Sequence, residues 1–96
     1  MSAADYSSAY ELFRELLKKL RESQSVSQAE LAARLDVPQS YVSKYETGER
    51  RLDFVETLEI CEALGIKTAD LANLFESRLK KAGTSSKAPK PRRRKV

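Results

Sequence analysis

The sequence predicts an all-α fold: a compact five-helix domain over residues 1–81 and a basic tail over residues 82–96. Three observations predict it. Apolar residues recur at three-and-four spacing from Tyr6 to Leu20, the mark of a helix with one buried stripe. Residues Ser27 to Gly48 read as two short helices meeting at a tight turn. Two further apolar runs follow, each opened by an acidic or hydroxyl residue, the first of them closed by a glycine.

The first helix carries Ala9, Tyr10, Phe13, Leu16, Leu17 and Leu20 on its stripe, and its start is open between Asp5 as a cap and a Ser8–Glu11 capping box. The polar linker Glu22-Ser23-Gln24-Ser25 ends it. Ser27 with Glu30 reads as a capping box for the second helix, and Val26 is expected to staple against Leu31. Leu31, Ala32 and Leu35 share one face of that helix. Asp36-Val37-Pro38 stops it, because the residue before a proline is pushed out of the α region. Pro38 suits the opening of a third helix, in which Val42 and Tyr45 point inward and Gln39, Ser40, Ser43 and Lys44 point outward. Gly48 supplies a left-handed stop. Asp53 with Glu56 opens a fourth helix, whose inner face is expected to hold Phe54, Leu58, Cys61 and Leu64, helped by Val55 and Ile60, with Gly65 closing it. Thr68 is expected to cap a fifth helix bearing Leu71, Leu74, Phe75 and Leu79. From residue 82 the pattern vanishes, and too little apolar surface remains to offset ordering entropy, so a disordered arm is expected.

Composition narrows the function. The length suits one domain of modest core. No apolar run is long enough for a membrane span, and the N-terminus lacks the plan of a signal peptide, so a cytoplasmic location without a membrane partner is expected. Cys61 stands alone, which excludes an internal disulfide. With no His and one Cys, the chain can assemble neither imidazole base catalysis nor a His/Cys metal cluster, so neither enzyme activity nor a cofactor is expected. The net charge of +4 is uneven: residues 1–81 hold 12 Lys and Arg against 14 Asp and Glu, while residues 82–96 hold six and no acid. Attraction to nucleic acid must therefore come from a local basic patch and the tail.

The string Ser-Gln-x-x-Leu-Ala-x-x-Leu, a short turn, then Gln-Ser-x-Val-Ser-Lys-x-Glu-x-Gly resembles the helix-turn-helix of the Cro and phage-repressor family, the XRE type. The resemblance covers roughly Leu16 to Leu74. It implies a lambda-repressor-like fold and a sequence-specific transcriptional regulator, a repressor or autoregulator, that reads a palindromic operator in double-stranded DNA as a homodimer. Two departures stand out: Ser25 and Asp36 occupy positions where the family carries glycine. Asp visits the left-handed region better than most residues, so the turn at Asp36 is expected to survive.

The resemblance also assigns roles. Gln39 and Ser40 match base-contacting positions, and Gln can pair bidentately with adenine. Tyr41, Ser43 and Lys44 are further base-contacting candidates; Tyr41 could equally pack on a neighbouring helix, and Lys44 could be an ordinary surface lysine. Gln28 matches a phosphate-binding glutamine at a helix N-terminus. Arg50 and Arg51 lie in the loop that approaches the DNA backbone, with Glu49 or Asp53 as competing surface partners. Arg21 and Glu46 match a semi-buried ion pair that links the first helix to the reading helix. The acidic stripe of Asp53, Glu56, Glu59 and Glu62 reads as a solvated face. Leu74, Phe75 and Leu79 are the dimer candidates, unless they only close the monomer's core. Two other readings stay open: an antitoxin whose tail folds on a toxin, or an adaptor touching polymerase.

Overall fold

The computed structural model describes residues 3–82, with side chains from residue 8 onward. Five helices follow in order: α1 (Ala3–Ser23), α2 (Gln28–Leu35), α3 (Gln39–Thr47), α4 (Phe54–Leu64) and α5 (Thr68–Ala82). The expected tail lies outside the described residues, except that Ala82 still belongs to α5. α2 and α3 pack on each other; α1 lies against α3 and α5, and α2 and α5 each meet α4.

The helix ends follow local chemistry. The Ser27 hydroxyl accepts from the Glu30 N–H at 3.0 Å. The Glu30 carboxylate, however, accepts from Arg34 at 3.0 Å instead of returning to Ser27, so only half of the expected box forms. An i,i+4 pair on the exposed face of α2 has drawn it away. Asp36 closes α2 in the left-handed region at φ 60° and ψ 46°, and its N–H bonds back to the carbonyls of Ala32 and Ala33. Ser25, the other departure from glycine, also turns left-handed, at φ 58°. At α4 the capping box is complete: Asp53 and Glu56 each bond the other's backbone N–H, at 2.7 and 3.0 Å.

α1 starts at Ala3, upstream of both expected caps, so neither Asp5 nor Ser8 begins it. Ala3 and Ala4 are strong helix formers and carry the helix upstream of both residues. Thr68 is likewise the first residue of α5 and not its cap; the Lys67 carbonyl already accepts from the Leu71 N–H at 3.1 Å.

The core comprises Leu16, Leu17, Val26, Leu31, Ala32, Val42, Tyr45, Ile60, Cys61, Leu64 and Leu71. The expected inner face of α4 needs correction. Phe54, Val55 and Leu58 point outward, at 69%, 60% and 37% exposure, and the buried face is Thr57, Ile60, Cys61 and Leu64. Both faces have helical spacing, but the capping box sets the helix start, and the Thr57 hydroxyl donates to the Asp53 carbonyl at 2.8 Å. A polar side chain with an internal partner can be buried at little cost. On α5, Phe75 meets Phe13 edge-on at 5.6 Å and so closes the monomer's own core, while Leu74 remains exposed.

Candidate nucleic-acid interface

α3 is held from behind by Val42 and Tyr45, which are 0% and 1% exposed. Its outward face presents Gln39, Ser40 and Lys44 to solvent, with Ser43 half-buried beside them. No side chain caps its N-terminus, since Pro38 occupies that position. Gly48 ends the helix at φ 92°, a conformation that side chains rarely adopt.

A chain of hydrogen bonds fixes this helix to the rest of the fold. The Arg21 guanidinium donates to both Glu46 carboxylate oxygens, from Nε at 2.8 Å and Nη2 at 3.0 Å, and from Nη1 to the Val26 carbonyl at 2.8 Å. The two side chains are 8% and 2% exposed, so the expected ion pair is present and well buried. Bonding to Glu46 raises the pKa of Arg21 and keeps it charged. The Gln28 amide donates to Glu46 Oε1 at 2.9 Å, and the Gln39 amide donates to Gln28 Oε1 at 3.4 Å. Gln28, which the resemblance matches to a phosphate-binding glutamine, here tethers Gln39 in the free chain.

Tyr41 is half-buried, edge-on to Tyr45 at 6.1 Å and under the Arg50 guanidinium at 4.5 Å. Burial pushes its phenol pKa up. Arg50 pairs with Glu56, not with Glu49 or Asp53, because the first turn of α4 brings the Glu56 carboxylate back over the loop. Glu56 therefore leaves the supposed solvated stripe. Arg51 is exposed, its guanidinium 4.4 Å over the Tyr10 ring, and among the described residues it joins no ion pair.

Two contributors escaped the sequence reading. The Tyr10 hydroxyl accepts from the Leu52 N–H at 2.6 Å, tying α1 to the loop after α3. The Arg14 guanidinium lies against Gly48, so close that a Cβ there would meet Arg14 Cζ at 2.8 Å. Both contacts span distant parts of the chain and have no local signal; the apolar stripe of α1 indicated only burial for Tyr10.

A family model described as helix-turn-helix matches residues 17–71, more than half of the chain. The chain belongs to the XRE-type helix-turn-helix family. This XRE-type chain is 38% identical over 65 residues to the control protein C.MunI of Mycoplasma sp, covering 67% of this chain and 88% of that protein. It superposes at a TM-score of 0.72 on an XRE-family like protein from Pseudomonas syringae pv. tomato str. DC3000, 38% identical, over 76% of this chain and 89% of the other. The restriction-modification controller protein C.Esp1396I, 19% identical, shares the fold at a TM-score of 0.71, over 76% of this chain and 95% of its own. The family is one of DNA-binding transcription regulators, not of enzymes. Among the described residues no helix is long and apolar enough to cross a membrane.

Proposed function

We propose that the XRE-type chain is a sequence-specific repressor or autoregulator that reads a palindromic operator as a homodimer. One observation carries this reading: α3 is anchored by buried Val42 and Tyr45 while Gln39, Ser40 and Lys44 are exposed on its far side. Those side chains supply the donors and acceptors that major-groove base edges match. Tyr41 and Ser43, partly covered, sit at the margin of the reading face. Gln28, Arg51 and, once its pairing with Glu56 is shared, Arg50 hold phosphates. The tail adds six cations without an acid, which strengthens salt-sensitive attraction to any duplex. The relation to a control protein at 38% identity supports a regulatory role.

Dimerisation is supported by the apolar strip of Phe54, Val55 and Leu58 on α4, and by Leu74 on α5, all exposed in the single chain. A second copy covers such surface; Phe75, engaged with Phe13, contributes less to it than the sequence suggested. Leu79 is half-buried in the single chain. Selection of bound sites from a random duplex library tests the reading. Enrichment of two inverted half-sites about 34 Å apart is expected. A library that emerges without any preferred sequence would refute it.

A further inference from the structure

The C-terminal end of α3 opens on a hollow of about 230 Å³ lined by Tyr10, Glu11, Arg14, Gly48 and Arg51. Two arginines converge there from different elements, Arg14 from α1 and Arg51 from the loop after α3. Among the described residues neither is in an ion pair. Both are held in place by unusual contacts: Arg14 against the bare backbone of Gly48, and Arg51 over the Tyr10 ring at 4.4 Å. The Tyr10 hydroxyl also pins the loop through the Leu52 N–H.

The position of the hollow matters as much as its charge. α3 has nine residues, and at the usual rise it is about 13 Å long, close to the roughly 12 Å width of a major groove. A helix of that length set into the groove brings the neighbours of its two ends against the phosphate walls. At one end stands Gln28, bonded to Gln39. At the other stands this hollow. We propose that Arg14 and Arg51 together hold a backbone phosphate of the DNA there, with Tyr10 as the positioning residue that orients Arg51. The inference rests on the DNA-binding reading and extends its footprint to α1. Glu11 lines the same hollow and opposes the anion, which sets the sign of one variant.

Titrating the full chain with a selected operator duplex and with a random-sequence duplex, across about 50 to 200 mM KCl, tests this. Arg14→Gln is expected to weaken binding to both duplexes and to flatten the slope of log K against log salt by about 0.9 for each bound protomer. Arg14→Lys, which keeps the charge, retains the slope, and Glu11→Gln tightens both complexes. Tyr10→Leu flattens the slope at temperatures where circular dichroism shows an intact fold. An unchanged slope in Arg14→Gln overturns the phosphate site, and so does an equal slope loss in Arg14→Lys. An unchanged slope in Tyr10→Leu overturns the positioning role. A wild-type chain that binds neither duplex defeats the DNA-binding reading itself, whereas one that selects its operator while Arg14→Gln keeps the full slope defeats only this site.

Discussion

Arg21 and Glu46, 25 residues apart in the chain, form a two-bond ion pair at 2.8 and 3.0 Å that joins α1 to α3. Removing one member leaves a buried charge without its partner. Arg21→Ala is therefore expected to cost about 3–5 kcal/mol in urea denaturation, while exchanging both residues for apolar ones of similar volume costs far less. Arg21→Lys falls between, since an ammonium cannot reproduce the fork that reaches Glu46 and the Val26 carbonyl together. A cost below about 1 kcal/mol for Arg21→Ala would show that the pair behaves as an exposed one.

The hydroxyl of Tyr45 is buried without a hydrogen-bond partner among the described residues. Tyr45→Phe removes that unsatisfied group and keeps the ring, so it is expected to stabilise the chain by about 1 kcal/mol at neutral pH. Burial, and then the charge of Glu46, hold the Tyr45 phenol well above the usual tyrosine range. The folded chain thus keeps a proton that the unfolded chain loses near its ordinary pKa of about 10. Stability is intact below about pH 10 and falls as pH rises above it, and Tyr45→Phe should reduce that fall. Denaturation midpoints at neutral and alkaline pH measure both effects; a less stable Phe variant would mean that the hydroxyl has a partner.

Ser25 holds a left-handed backbone without the side-chain chemistry that suits Asp36 to the same region. Relief of about 1–2 kcal/mol of steric strain competes with about 0.4–1 kcal/mol of extra chain entropy in the unfolded state. Ser25→Gly is accordingly expected to raise stability by roughly 0.5–1 kcal/mol. Thermal melting reads this directly, and a lowered midpoint would contradict it.

Replacing Gln39 and Ser40 together by Ala should narrow the gap between operator and random duplex affinity by about 1–3 kcal/mol for a lost bidentate contact. Equal losses on both duplexes would reduce these residues to positioning the protein. The comparison complements the salt titration, because base contacts change discrimination and phosphate contacts change the slope.

The short-range features of the fold were legible in the residues. Ser27, Asp53, Gly48 and Gly65 marked helix ends through hydrogen-bonding capacity or freedom of φ, and Val42 and Tyr45 fell on the inner face of α3 by spacing alone. The outward placing of Gln39, Ser40 and Lys44 followed from the same spacing, whereas the Arg21–Glu46 pair came through family resemblance. α4 was misread because apolar residues lie on two of its faces, so that periodicity alone could not choose between them; the buried one includes Thr57, whose hydroxyl is satisfied within its own helix by the Asp53 carbonyl. The Arg50–Glu56 pair spans six residues but depends on how the loop folds back on the first turn of α4, and the Tyr10–Leu52 bond and the approach of Arg14 to Gly48 join distant parts of the chain that no local window encodes.

The relay from Arg21 through Glu46 and Gln28 to Gln39 bears on how such a regulator can diversify. The side chain that the proposed reading sets against the first base is held by groups that also secure the scaffold. A descendant acquiring a new operator preference at that base must either keep glutamine-like hydrogen bonding at residue 39 or revise Gln28 in step, whereas Lys44, which shares in no such relay, is free to drift alone. On the proposed reading, target-site evolution is thereby channelled toward the last turn of the helix and resisted at its leading edge.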